Sequence, residues 1–512
     1  MQNKYLKILR LPIIMVTIVM FTAAASAALA APKKSEAVPE YKEFSELGGK
    51  KVSMLTGAPF EELVRSKVPD VGEILYYAAT ADMQMALKSH KVDAYFMNNA
   101  VGELMANKDS ELAVFPKDLG VTSFGFAFSK DDPDFDAWQK AFNTISQEKK
   151  KELWDKWTGT DESVKTVPEQ DWPGKNGTVN AAVCDTLEPM SYAGEDGKLI
   201  GFDIELLLLT AKELDVHIDF TGMEFSSLMA EVQAGKAKVA AGSIVMSDER
   251  KKLVNFIEYY PAKYILIVRS VSNAATDGSF IENIKASFER TFIKENRYLT
   301  ILSGLGSTVA MTIASGLLGI LLGFGLVFLR RKGIKPVNGI ISAYSAIMAG
   351  VPAVVILMMI YYIIFGAFDV PSIIAAIIGF TMIFGARVFG TVWNAAQAVD
   401  GGQREAALAL GYNEAQTFRK IVLPQAKGIY FPTIKSQLVI LLKETSMAGY
   451  IAVLDLTRAG DLIRSRTLEA FFPLIATAVI YFLLTWLLAK LVGLIITWDD
   501  NKHNERKIEG VD

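Results

Sequence analysis

The apolar residues of this chain are unevenly placed. They crowd after Tyr298, where runs long enough to cross a bilayer follow one another to Thr497. Between Glu40 and about Ser270 the pattern instead alternates strands with amphipathic helices, which implies an α/β domain. The 512 residues give room for two or three domains, and 51% hydrophobic residues beside 21% charged ones is a high apolar content for a wholly soluble protein. Two environments are therefore expected: a soluble α/β part first and a membrane part after it.

Composition removes several function classes. The net charge is −3, so there is no nucleic-acid footprint and no basic tail. A single cysteine, Cys184, rules out an internal disulfide and a cysteine-rich metal site. His90, His217 and His503 lie far apart and show no metal-ligand spacing. No phosphate-binding GxxxxGK[ST] pattern occurs, so no cofactor is expected in this chain, and any ATP hydrolysis that drives it belongs to another polypeptide.

Lys4, Lys7 and Arg10 precede an apolar run from Leu11 to Ala30. Residues 1–30 read as a signal peptide cleaved before Ala31, or as a retained anchor; either sends Pro32 onward across the membrane.

Within the α/β part, strands are expected at Lys50–Leu55, Val92–Met97, Phe124–Phe128, Thr178–Val183 and Val239–Ile244. Helices are expected at Pro59–Ser66, Ala137–Trp157 and Asp203–Leu214. Thr158–Asn176 is a polar, proline-containing linker. Ser247 should cap a helix carrying Asp248 and Glu249 in its first turn, with Arg250 following.

Near the middle of the apolar half lies GQREAALALGYNEAQTFRKIVLP. Gln403–Leu410 reads as a short Ala-rich helix stopped by Gly411, the residue best suited to a left-handed cap. Asn413 can start a second helix through Glu414–Leu423, which Pro424 closes. Spacing alone also allows an ordinary amphipathic hairpin between membrane helices. The residues Glu405, Ala406, Ala407, Gly411, Ile421, Leu423 and Pro424 resemble something more specific. EAA, three residues, Gly, nine residues and I-x-LP is similar to the cytoplasmic loop of bacterial ABC importer permeases, in which it docks on the ATP-hydrolysing subunit.

The soluble part resembles the periplasmic amino-acid-binding proteins, the family 3 solute-binding clamps that feed such permeases. GEDGKLIGFDIELLLLTAKEL and AAGSIVMSDERKKLVNF are similar to that family's first lobe. ELGGKKVSMLTGAPFEEL, KVDAYFMNN and FGFAFSKDDPDF…LWDKWTG are similar to its second lobe and C-terminal end. The order is inverted: second-lobe material occupies residues 40–158, a linker 159–176, and first-lobe material 177–270. One circularly permuted clamp or two truncated tandem clamps satisfies this order, and a lone half-lobe would expose an apolar interface. By position, the resemblance assigns Arg250 to a ligand carboxylate, Thr56 and Gly57 to the turn that also meets it, and Ser243 to the pocket, with Asp185 near its mouth. The family's acid for a ligand amine falls on Asn98, which lacks the charge, and Asp185 or Glu188 are the acids at hand to replace it. Val245 and Leu187 also depart from the family pattern.

Phe280, Ile284, Phe288 and Phe292 recur every fourth residue. That pattern suits an interfacial helix over residues 280–297, or one packed on the clamp. Five spans are expected in residues 298–498: Leu299–Leu329, Val351–Phe365, Pro371–Trp393, Ile434–Val453 and Phe471–Thr497, with a cytoplasmic tail at 499–512. The fourth carries Lys443, Glu444, Thr445 and Ser446 in mid-sequence, where each charge at a bilayer centre costs about 2.5–3.5 kcal/mol, so it should face the bundle interior. LKETSM resembles the family's segment near the translocation path; polar packing between helices is the other role open to it. Arg387 stands where the family carries a tyrosine, and Gly390 and Trp393 replace an acid and an arginine.

The fold expected is thus a two-lobed α/β clamp followed by an all-α permease of five transmembrane helices. The resemblance implies a solute-binding and permease subunit of an ATP-driven importer in the bacterial cytoplasmic membrane. It implies a carboxylate-bearing small solute, a second permease copy and an ABC ATPase dimer as partners. A ligand-gated channel or membrane sensor built on a clamp is the alternative, and neither a selectivity filter nor a signalling domain is evident in the sequence.

Overall fold

The computed structural model describes residues 37–159, 161–194, 197–271, 285, 287–366, 368, 370–467 and 471–508; the 1–30 segment lies outside them. The chain forms two compact units. One runs up to Leu302 and takes in Ala459–Ala476; the other comprises Ser303–Arg458 and the chain from Thr477.

The first unit is built on strands β1 (Lys51–Leu55), β2 (Glu73–Tyr77), β3 (Ala94–Asn98), β4 (Leu112–Val114), β5 (Gly120–Ser129), β6 (Thr178–Cys184), β10 (His217–Met223), β11 (Val239–Ala241) and β12 (Val254–Arg269). These make one nine-stranded sheet in the order β10-β6-β11-β5-β12-β3-β1-β2, with β4 also on β12. A small three-stranded sheet is formed by β7 (Thr186–Leu187), β8 (Ser191–Ala193) and β9 (Leu199–Ile200). Helices α1 (Glu61–Lys67), α2 (Thr80–Lys88) and α3 (Asn99–Lys108) belong to the β1–β4 half. Helices α4 (Phe135–Phe142), α5 (Gln147–Thr158), α6 (Phe202–Glu213), α7 (Leu228–Gln233) and α8 (Asp248–Leu253) follow β5 or lie in the β6–β11 half.

The two halves are joined by β5 and β12, which run antiparallel from Val254↔Ser129 to Tyr264↔Gly120 with an irregularity between Glu258 and Tyr260. Beyond Tyr264, β12 leaves β5 and pairs with β3 and β4. One 16-residue strand thus serves both halves. Its ends explain the chain order: Val271 N–H donates to Val38 O, and Glu40 N–H to Arg269 O, so the start and finish of this sheet lie side by side.

One expectation is corrected here. Ala137–Trp157 is two helices, not one, because Ser146 accepts from Lys149 N–H and restarts the chain as α5. The 159–176 linker is held against the sheet. Gln170 makes a reciprocal amide pair with the Ile218 backbone, at 2.9 and 2.7 Å, and Trp172 Nε1 donates to Val216 O at 2.7 Å, fastening it along β10. Of the 280–297 stripe, residues 280–284 and 286 lie outside the described residues; Glu289–Ile293 is a π-turn and Lys294–Asn296 a 3-10 turn.

The second unit is helical: α9 (Tyr298–Arg331), α10 (Lys335–Gly350), α11 (Ala353–Met358), α12 (Ser372–Gln397), α13 (Gly401–Ala409), α14 (Glu414–Thr417), α15 (Leu423–Glu444), α16 (Leu456–Thr467) and α17 (Phe471–Ile508), of which α9 and α16 straddle the division between units and α17 begins before it. Among the described residues, three helices are long and apolar enough to cross a membrane, or up to five if each of two bent pairs is one span. The expected second span, Val351–Phe365, is one limb of such a pair. Pro352 follows an extended Val351, and Lys335–Gly350 meets Ala353–Ile364 at 116°. The core centres on α12, whose Phe380, Phe384 and Val388 are fully buried. Gly319 and Gly323 of α9 let it approach. A Cβ at either would lie 2.6 Å from Phe384 Cδ1 or Val388 Cγ1, so this is close packing between small residues one turn apart.

Candidate functional site: the clamp, the helical pair and the exposed loop

Three groups of expected site residues can be placed. In the first unit, Ser247 Oγ accepts from Arg250 N–H at 3.3 Å and starts α8, which fixes where the Arg250 side chain leaves the helix. Its guanidinium donates to Val245 O at 3.3 Å and to Gly57 O at 2.8 Å. Val245 belongs to the half that carries Arg250, while Gly57 follows β1 in the other half. Arg250 therefore bridges the two. Phe225 lies 5.7 Å below the guanidinium, a cation–π distance. Burial lowers the Arg250 pKa from its usual value, opposed by the Tyr264 phenol. Gly57 has φ +84°, a left-handed backbone that favours glycine, with Ser226 packed close by.

The remaining pocket residues are spread over both halves. Thr56 is exposed, and its N–H donates to Tyr77 O at 2.8 Å, which leaves its hydroxyl as the group to offer a ligand. Asn98 is buried, and its Oδ1 accepts from Val101 N–H at 3.0 Å as the cap of α3, so its amide is what remains. Ser243 is buried with φ +55° and its Oγ has no partner. Asp185 is buried against Gly222, where a Cβ would sit 2.6 Å from its Oδ2. Glu188 is bound by Lys108 across the halves at 2.6 Å, so it is an interlobe tie and not a spare acid for a ligand amine.

Sequence reasoning did not single out Tyr264. Its ring packs on Phe60 and Phe96, at 4.3 and 4.8 Å, and its buried hydroxyl has no partner. Burial raises its pKa, and Arg250 pulls it back. The signal was weak: Tyr264 stands opposite Asn98 where β12 passes from one half to the other, and β12 was not legible as a strand shared by both.

In the helical unit, Arg387 of α12 and Glu444 of α15 form a two-bonded pair at 2.7 and 2.6 Å. Arg387 also lines a cavity of about 450 Å³ with Gly390, Thr391, Asn394, Thr433 and Gln437. Lys443, Thr445 and Ser446 do not join them. Lys443 is exposed, and the two hydroxyls bond back to Leu442 O and Lys443 O. The reason is helical register. α15 ends at Glu444 and passes into a 3-10 turn over Thr445–Ile451, so the four polar residues stand at a helix end, not in mid-span as expected.

The EAA segment forms α13, whose end is a Schellman motif: Tyr412 N–H donates to Ala407 O and Gly411 N–H to Leu408 O, with Gly411 at φ +86°. Asn413 and Gln416 form a reciprocal capping box at 2.8 and 2.9 Å that starts α14. Glu405 and Ala406 are exposed, Leu410 is 79% exposed, and Ala407 is buried. Pro424 does not close the second helix. It sits in the first turn of α15, after a π-turn over Phe418–Val422 that carries Ile421, where its missing N–H is tolerated.

The chain matches the model for bacterial extracellular solute-binding proteins, family 3, over residues 179–444. That match opens in β6 and runs through α15, leaving out the β1–β5 portion of the α/β unit. Among curated relatives, it is 32% identical to the probable amino-acid permease protein YxeN of Bacillus subtilis over 190 residues, 36% of this chain and 85% of that protein. It is 30% identical to the L-cystine transport system permease protein TcyB of the same organism over 221 residues, 41% of this chain and 93% of that one. It is also 30% identical to the arginine ABC transporter permease protein ArtQ of Haemophilus influenzae over 191 residues, 35% of this chain and 83% of that one. The chain therefore belongs to the family 3 bacterial extracellular solute-binding proteins and, at the same time, to the amino-acid ABC transporter permeases.

Proposed function

We propose that this chain is the combined solute-binding and permease subunit of an ATP-driven importer for a carboxylate-bearing small solute, an amino acid or a derivative of one. The observation that carries the reading is the position of Arg250. Its guanidinium faces backbone oxygens of both halves of the α/β unit, so a ligand carboxylate taking their place would hold the halves together. The relatives' names point to different solutes, cystine and arginine, and support only the class.

The α/β unit is read as a single circularly permuted clamp, a reading supported by the shared strand β12 and by the adjacent Val38 and Val271. In this reading the clamp stands outside the cytoplasmic membrane. The exposed Glu405–Leu410 face lies inside and docks on a separate ABC ATPase, which supplies the hydrolysis this chain does not. A pair of such chains over an ATPase dimer completes the assembly. Tethering keeps the clamp near the pore at an effective concentration of about millimolar.

The test is reconstitution of the full chain with its ATPase in liposomes and measurement of uptake of labelled amino acids, one at a time. Uptake that needs ATP and saturates with one solute class is the expected result. Uptake indifferent to ATP would overturn the importer reading in favour of a channel.

A further inference from the structure

Tyr264 stands where β12 changes partners, opposite Gly120 of β5 on one side and Asn98 of β3 on the other. It therefore sits at the crossing between the two halves of the α/β unit. The residue is 3% exposed, and its hydroxyl has no hydrogen-bond partner among the described residues. Buried tyrosine hydroxyls ordinarily find one. Tyr95 and Tyr259, buried on the same sheet, do so: Tyr95 Oη donates to Met105 Sδ at 3.6 Å, and Tyr259 Oη to Asp203 Oδ2 at 3.1 Å. Tyr264 differs from both.

The surroundings of the ring set it beside Arg250. Phe60, 4.3 Å away, directly follows the turn at Gly57, whose carbonyl accepts from the Arg250 guanidinium at 2.8 Å. Phe124 meets the ring edge-on at 6.4 Å and bridges to Val245, whose carbonyl is the other acceptor of that guanidinium. Phe96 stacks on the ring at 4.8 Å, so aromatic neighbours fix the direction of the hydroxyl. Burial holds the phenol pKa above its usual value, opposed by the Arg250 charge, so at working pH the group keeps its proton and is a donor. A carboxylate offers about four lone-pair sites, and a two-bonded guanidinium leaves some of them open to a further donor.

We infer that the Tyr264 hydroxyl donates a hydrogen bond to the carboxylate of the solute held by Arg250, which makes Tyr264 a ligand-contacting residue of the clamp. The inference rests on the solute site proposed above and adds a neutral donor to it. Arg250 supplies the charge, and Tyr264 supplies a donor of fixed direction. Before binding, the hydroxyl is desolvated without a partner and contributes nothing to folding; the solute satisfies it. The contact also attaches the solute to the one strand that both halves share.

The test compares the parent chain with Tyr264→Phe, which removes the hydroxyl and keeps the ring among its aromatic neighbours. The detergent-purified full chain is titrated calorimetrically with each standard amino acid and its N-acetyl derivative, and the tightest binder is carried to the variant. Tyr264→Phe should weaken that binding about tenfold and leave the ligand-free Tm unchanged or slightly higher, because no hydrogen bond of the unliganded protein is lost. A tyrosine with a purely structural role gives the reverse, a lower Tm with the affinity kept, and that result overturns the inference. Unchanged affinity overturns it whatever the Tm. If Arg250→Ala loses binding while Tyr264→Phe keeps it, the solute site stands without Tyr264. If the parent binds no member of the panel, the solute site itself is overturned, so the two failures are distinguishable.

Discussion

Arg387 on α12 and Glu444 at the end of α15 are locked by two hydrogen bonds, at 2.7 and 2.6 Å, beside the cavity that runs between these helices. Both side chains are largely but not wholly out of solvent, which sets the scale of the pair. Removing one partner strands a half-buried charge, and the 3–5 kcal/mol typical of full burial is discounted for exposure to roughly 1–3 kcal/mol. Arg387→Ala should lower Tm by several degrees and cut uptake at least tenfold. The exchange Arg387→Glu with Glu444→Arg should regain most of the stability. A double-mutant cycle on Tm measures the coupling, and zero coupling would show the pair to be ornamental.

Arg250→Ala should weaken solute binding by on the order of 100-fold, the loss expected for a charge-assisted two-point grip, while the α/β unit stays folded. Arg250→Lys should recover little of it, because an ammonium cannot bond two oxygens in one plane. Calorimetric titration of the full chain decides; unchanged affinity in Arg250→Ala would remove this residue from the site.

How much of this was legible in the sequence differs by residue. Ser247 marked a helix start and so the place of Arg250 on its first turn, but its role came only from the resemblance, which also set Gly57 on the turn meeting the same carboxylate. The direct bond from the Arg250 guanidinium to Gly57 O was not foreseen, since nothing local links residues on two halves of a clamp. Arg387 and Glu444 were each conspicuous as charges among apolar residues, but their pairing depends on the crossing of α12 and α15, and spacing carries no trace of it. Pro352 was a plain break signal, yet composition alone drew a straight span through Val351–Phe365. The strand β12 was missed because its sequence reads as two pieces: exposed Glu258, Pro261 and Lys263 interrupt the first half, and Tyr264–Val268 is buried on both faces and shows no alternation. The 159–176 stretch read as a linker by composition, and only the fold shows Gln170 and Trp172 pinned along β10.

Close approach of α9 and α12 depends on Gly323, where an added Cβ would meet Val388 Cγ1 at 2.6 Å and Gly385 O at 2.9 Å. One contact is with backbone, which cannot swing aside. Gly323→Ala should therefore destabilise by about 1–3 kcal/mol through overpacking. Gly325→Ala, two residues on, meets nothing within 4 Å and is the matched control. Equal Tm values for the two variants would refute close packing at Gly323.

Gly411 poses a different case, because a Cβ there meets nothing while φ is +86°. Gly411→Asp should cost only about 1–2 kcal/mol, from backbone conformation alone, and should leave solute binding intact. It distorts the Schellman turn that presents Glu405, Ala406 and Leu410, so solute-stimulated ATP hydrolysis by the partner should fall severalfold. Leu410→Asp, on an exposed side chain, should uncouple without any change in Tm. Normal stimulation in both variants would mean that this face does not carry the coupling.

Asp203 gives the α/β unit a pH dependence of unusual sign. It is fully buried at the start of α6, where its Oδ2 accepts from Tyr259 Oη at 3.1 Å and Ser243 N–H at 3.2 Å. Burial pushes its pKa up to about 7, with hydrogen bonds from Ser243, Tyr259 and Gly242 pulling it back. An unfolded aspartate titrates near 3.9, so between about pH 4 and pH 7 the folded chain holds a proton that the unfolded chain has released. Stability from this group is full below that window, falls as pH rises through it and is flat above, a loss on the order of 3–4 kcal/mol at most. Asp203→Asn keeps an acceptor for Tyr259 and Ser243 and cannot titrate, so its stability should be flatter than the parent's across the window. Tyr259→Phe removes one of those hydrogen bonds and should move the midpoint upward. Thermal unfolding of the full chain across this range is the measurement. A parent stability that rises from pH 4 to pH 7 no less steeply than that of Asp203→Asn would show that Asp203 is ionised throughout and that its hydrogen bonds outweigh its burial.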